Sequence, residues 1–197
     1  LRTIPLIDTS NATLFGSSSE SSYANNGMFA YSGIETIPKL NTSKGTSFNS
    51  MFQNCNNLKT IPLIDTSNAI DMRYMFNGCS KLQYIPQLDT SKVNYFTGMF
   101  RYCTKLVVLP KLNTSKGVSF KEMFRGCSYL SGDIEMDTSN AEDCYSMFYQ
   151  TDLINIRLTS TSKCSKFDYM FYSCQKVRTI STLDLTLASS INYMFRY

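Results

Sequence analysis

Histidine is missing from all 197 residues. That removes serine and cysteine triads that rely on it, His-ligated zinc and the commonest general base. Asp, Glu, Lys, Tyr and Cys could still carry chemistry, so an enzyme is disfavoured, and no catalytic residue, metal ligand or cofactor site is expected. Charged residues amount to only 17%, and the formal charge of +4 comes from single, scattered Lys and Arg. No basic run marks a nucleic-acid or polybasic membrane patch, so neither nucleic acid nor membrane insertion by this segment is expected. No stretch approaches the ~20 apolar residues of a membrane helix. No secretory leader is present, and the chain opens on Leu1 rather than Met. The expectation is a piece of a longer protein whose targeting segment lies elsewhere.

What the chain does have is a repeat. Met-Phe occurs at 28–29, 51–52, 75–76, 99–100, 123–124, 147–148, 170–171 and 194–195, in steps of 23 or 24 residues. Asp-Thr-Ser or Asn-Thr-Ser, starting at Asn41, Asp65, Asp89, Asn113 and Asp137, stands ten residues before its Met, with weaker copies at Ser160 and Asp184. The copy at Asp8 precedes Met28 by twenty residues, so the first rung carries a 10-residue insertion near 14–23, in and beside the Ser-rich GSSSESS stretch at 16–22. Residues 1–197 are read as one domain of about eight rungs.

Each rung divides into two halves. Ala69, Met72, Phe76 and Cys79 stand at i, i+3, i+7 and i+10, as do Val93, Phe96, Phe100 and Cys103. This spacing predicts a short amphipathic helix with Thr-Ser at its N-cap. The other half, LKTIPLID (58–65) or LQYIPQLD (82–89), reads as a brief strand whose Pro marks an end or bulge. One rung cannot bury both its Leu/Ile side and its Met/Phe/Cys side, whereas stacked rungs share a continuous core. The fold expected is therefore an α/β repeat: parallel strands on one face, helices on the other. The five prolines, Pro5, Pro38, Pro62, Pro86 and Pro110, are confined to the first five rungs, with Ile134, Arg157 and Ser181 in their place afterwards. The later strands are expected to be less regular, with a kink at Gly132–Asp133.

The phrase MFxxCxxLxxIPxLDTS, present in phase along the whole chain, resembles the BspA-type leucine-rich repeats, most closely their Asp-Thr-Ser-rich branch in mycoplasma-type surface lipoproteins. The resemblance implies a leucine-rich-repeat solenoid, display on a bacterial surface, and adhesion or binding of a host or extracellular protein or glycan. It supplies no catalytic residues.

Seven cysteines invite disulfide, metal or nucleophile readings. Cys55, Cys79, Cys103, Cys127 and Cys174 each follow a repeat Met by four residues, and Cys144 and Cys164 fall in columns that are apolar or small elsewhere. Buried free thiols are expected. Parallel side chains and an odd count oppose disulfides between rungs, although the Cα spacing would permit them. The Asp/Asn column could line up calcium, but an Asx-turn to the residue two positions on is the cheaper explanation, since Asn41, Asn113 and Ser160 keep that bond without the charge. Lys44, Lys92, Lys116 and Lys163 form a row that is either a solvated edge or a weak anion site.

Binding should use positions that the repeat leaves variable. On the strand half these are Lys39, Lys59, Gln83, Tyr84, Gln87, Lys111, Glu135 and Asn155, whose neighbouring Leu and Ile do not vary in kind. A non-enzymatic surface module with an extended binding face is the leading expectation. A spacer or stalk, or a phage-encoded virion segment without selective contacts, is the alternative.

Overall fold

The computed structural model describes residues 4–17 and 27–196; most of the expected insertion lies outside the described residues. The rungs do stack. Isolated parallel bridges run from Leu14 to Ser47, Asp71, Tyr95, Ser119, Asp143, Lys166 and Ser190, one per rung in unbroken succession. We number rungs so that the third runs from Leu58 to Cys79 and the sixth from Leu130 to Thr151.

The expected helices are absent: no described residue is helical. In a helix each N–H bonds to the carbonyl four residues back. Here the donors alternate. Met72, Tyr74, Phe76 and Gly78 donate to Tyr95, Thr97, Met99 and Arg101 of the next rung at 2.7–3.1 Å. Met75, Asn77 and Cys79, between them, fold back three residues to Met72, Tyr74 and Phe76 at 3.0–3.3 Å. The half-rung is thus a chain of tight turns zipped to its neighbour. Two such turns per rung need φ > 0 at their third residue, as in type II turns. The column just before Met supplies Ser50, Tyr74, Gly98, Glu122, Ser146, Tyr169 and Tyr193, and the column three after it Asn54, Gly78, Tyr102, Gly126, Gln150 and Ser173, all with φ of +52° to +76°. Left-handed backbone costs an L-residue about 1–2 kcal/mol, and the inter-rung bonds and core burial offset it. Glycine is required for a further reason at Gly98 and Gly126. An added Cβ would stand 2.5 Å from the Tyr74 or Tyr102 ring of the preceding rung, which lies over it.

The apolar spacing read as a helical stripe marks inward columns all the same. The Met-Phe phenylalanines from Phe29 to Phe195 stack in one ladder, with centroids 5.3–5.8 Å apart and planes within 15°. All seven cysteines are free and buried. The Met-Phe cysteines also do something the sequence reading missed. Cys55, Cys79, Cys103, Cys127 and Cys174 donate Sγ–H to the Phe carbonyl of the rung before, at 2.9–3.0 Å. Ser32 and Thr151 fill the same column in rungs one and six, four residues after Met28 and Met147, so every complete rung keeps an –OH or –SH there.

The strand half needs the opposite correction. Among the described residues regular strands occur only where proline is gone: β1 (Ser131–Met136), β2 (Asp152–Leu158) and β3 (Thr179–Ile180), a parallel sheet in that order. The rungs expected to be irregular are the regular ones. Proline has no N–H to donate to a ladder. In the Pro-bearing rungs few backbone bonds survive on this side: Lys59 O accepts from Gln83 N at 3.2 Å and Gln83 O from Val107 N at 3.1 Å, and none joins the described strand halves of rungs two and three. The kink at Gly132–Asp133 is present as a register shift, with Gly132 at φ +89°. An α/β leucine-rich-repeat solenoid with a helical face is therefore not what this chain forms.

Candidate functional site

The site begins with Asp-Thr-Ser. The side chain of Asp8, Asn41, Asp65, Asp89, Asn113, Asp137 or Asp184 accepts the N–H two residues on, at 2.9–3.3 Å. This is the expected Asx-turn, without the helix it was to open. The threonine acts between rungs: Thr42, Thr66 and Thr90 donate Oγ1–H to the carbonyls of Asp65, Asp89 and Asn113 at 2.7–2.8 Å. Thr90 Oγ1 also accepts the Asn113 N–H at 2.8 Å. A buried row of hydroxyls thus clamps successive turns at one spacing and holds the acidic column in line.

Between this column and the row of residues just after the prolines runs an open groove of about 1310 Å³, spanning rungs one to five. Its floor includes the buried Leu40, Ile64 and Leu88. One wall carries Asp8, Asn41, Asp65, Asp89 and Asn113; the other carries Leu6, Lys39, Leu63, Gln87 and Lys111. Leu6 is 83% exposed and Leu63 66%, in a column that is otherwise polar. The Ser67 N–H and hydroxyl hold the Asp65 carboxyl below its ordinary value of 3.8, although Asp89 opposes this, and Ser91 does the same for Asp89. Both are ionised near neutral pH. Lys39 and Lys111 have no ion-pair partner for their ammonium groups among the described residues.

Of the positions singled out from sequence, Lys39, Gln87 and Lys111 converge on this groove. Gln87 is partly occupied, its Nε2 donating to Lys111 O at 2.8 Å and Leu88 O at 3.1 Å. Lys111 and Glu135 line a smaller cavity of about 250 Å³ at the step from Pro110 to β1. Lys59, Gln83 and Tyr84 are exposed outside the groove. Asn155 belongs to a side-chain ladder across the sheet, donating to Asp133 Oδ1 at 2.7 Å and accepting from Thr179 Oγ1 at 2.5 Å.

The Asp/Asn column stood out from sequence as a turn or calcium row and not as the wall of a groove, and the exposed leucines were not singled out. Leu6 and Leu63 among Lys39, Gln87 and Lys111, in the column just after the prolines, were the available signal. A second polar surface, on the turn half, is largely satisfied within itself. Glu122 pairs with Arg101 at 3.4 Å and Arg125 at 3.0 Å, Arg125 lies 4.5 Å over the Tyr149 ring, and Tyr149 stacks on Tyr172 at 4.8 Å. Three of the four lysines in the row are likewise engaged: Lys44, Lys92 and Lys163 donate to Asn11, Asn68 and Asn140 of the preceding rungs at 2.6–2.9 Å, whereas Lys116 has no such bond to a described residue. Among the described residues no group of three His, Cys, Asp or Glu is placed to hold a metal, and burial pushes the Cys79 and Cys103 thiols well up.

A family model described as a mycoplasma protein of unknown function, DUF285, matches residues 20–136 and, a second time, residues 108–197. No curated protein matches the chain.

Proposed function

The chain belongs to the DUF285 family of mycoplasma repeat proteins, and on that premise we propose that it is a non-enzymatic binding module. It is displayed outside the cell and holds a protein or glycan partner along the groove beside the Asp-Thr-Ser turns. Surface display and adhesion rest on the resemblance of the repeated phrase to BspA-type repeats. The binding mode rests on one observation: the groove joins a wall of near-constant Asp/Asn turns to a wall whose residues change from rung to rung, two of them exposed leucines. A constant frame with variable contacts is how a stacked repeat sets selectivity without altering its fold. Exposed apolar surface bounded by polar groups fits an interaction surface.

The test is a panel of immobilised extracellular-matrix proteins and glycans. Saturable binding to a panel member, lost in the combined variant Lys39→Glu, Leu63→Ser, Lys111→Glu and kept in Tyr84→Ala, is the expected result. Binding to none of them would favour a spacer role.

A further inference from the structure

The groove carries an ordered pattern of charge. Lys39 stands in rung two and Lys111 in rung five, and between them come the ionised Asp65 and Asp89 of rungs three and four. Neither ammonium is paired with a described residue, and no described cation pairs with Asp65 or Asp89 through a salt bridge. From rung two to rung five the order along the stack is therefore base, acid, acid, base, with the two acids centred midway between the bases; Asp8 adds an acid in rung one, and Lys92, bonded to Asn68, lies near Asp89.

The Phe ladder steps by 5.3–5.8 Å per rung, so three steps put the two lysines roughly 16–17 Å apart along the stack. An extended peptide rises about 3.3–3.4 Å per residue and points alternate side chains to the same face, so its residues i and i+4 are roughly 13–14 Å apart, a difference that the long Lys and Glu stems span. Residue i+2 then falls over the middle, between Asp65 and Asp89. Building on the binding-module reading, we propose that the groove recognises an extended peptide segment with acidic side chains at i and i+4 and a Lys or Arg at i+2. The acids meet Lys39 and Lys111. The basic head meets Asp65 and Asp89, and its aliphatic stem lies along Leu63, which is 66% exposed beside Asp65. No aromatic ring of the described residues lines the groove, so these residues offer no stacking platform for a sugar ring. That favours a peptide over a glycan.

Three synthetic peptides test this by NMR titration of the whole chain. The first is Ac-Ser-Glu-Thr-Lys-Thr-Glu-Ser-amide. The second has every charge exchanged (Ac-Ser-Lys-Thr-Glu-Thr-Lys-Ser-amide), and the third shortens the acid spacing to i, i+3 (Ac-Ser-Glu-Lys-Thr-Glu-Thr-Ser-amide). The first should bind at least tenfold more tightly than either control and shift the amides of residues 63–67 and 87–91. Lys39→Glu with Lys111→Glu, two exposed substitutions that break no described contact of the ammonium groups, should reverse the preference between the first two peptides. Equal binding by all three, or binding by none, overturns the proposal. A panel partner lost with the groove variant, together with indistinguishable peptides, would sink the peptide code and leave the module standing. Failure of both the panel and the peptides would remove both.

Discussion

Rungs two to five and rungs six and seven share one turn half and differ in the other. On the turn side both groups repeat the same alternating bonds, the same Phe ladder and the same threonine clamp. On the strand side the first group has Ile-Pro or Leu-Pro and at most one described backbone bond per step, whereas the second has β1 and β2 paired along their length with one register shift. The groove lies in the first group and is absent where the sheet closes. The comparison separates two jobs that one repeat performs. The turn half holds the stack together; the strand half is free to be either sheet or binding surface, and proline chooses between them.

If that division is right, damage to the turn half should cost the same in either group. Phe100→Ala, in a Pro-bearing rung, and Phe148→Ala, in a strand-bearing one, each empty a fully buried place in the same ladder. Each should lose about 3–5 kcal/mol in denaturant unfolding, and a clear inequality would break the comparison. The clamp comes next. Thr90→Val and Thr161→Val each remove an Oγ1 that both donates to and accepts from the following rung, at 2.8–2.9 Å. Each should cost about 1–3 kcal/mol by chemical denaturation, since a buried partner is left unpaired.

The strand half should respond in the other direction. Pro86→Ile restores a donor in a rung whose neighbours already run parallel to it. Amide exchange should slow around residues 83–88, with a gain of about 0.5–1.5 kcal/mol if a ladder bond forms. No added protection would mean that proline is not what keeps the groove open. The smallest effect concerns pH. The depressed carboxyls of Asp65 and Asp89, held mainly by the Ser67 and Ser91 N–H groups, favour folding when ionised. Their contribution is present above the ordinary carboxylate value of 3.8 and is lost as pH falls below it, through the folded value. Asp65→Asn with Asp89→Asn should flatten the acid limb of the melting-temperature profile there and leave the neutral-pH melting temperature nearly unchanged, as Asn41 and Asn113 already make the same turn.

Much of this was readable from residues alone. The 24-residue step, the inward columns of Met, Phe and Cys, the free thiols and the Asx-turns follow from which residue types recur at which offsets. Lys39, Gln87 and Lys111 were also legible as variable positions, and they share a groove. The helix was misread because apolar residues at i, i+3 and i+7 fit a chain of alternating tight turns as well as a helix. The choice depends on whether Tyr74 N–H bonds within its own rung or reaches Thr97 of the next, and local periodicity contains no term for a partner 23 residues away. The prolines reverse the expectation that the later rungs are the less regular: a Pro that marks an end or bulge also removes an N–H, and the described strands form where it is gone.

The amino-acid sequence by itself determined the columns, meaning which side chain lies above which and which face inward, because a repeat of 23–24 residues leaves stacking one register that buries the Met-Phe pairs of the interior rungs. Only the tertiary structure decided where the backbone donors go. A bond between rungs exists only once both rungs are stacked, and there it wins over the helix because it leaves the Phe, Cys and Thr ladders intact at a single spacing.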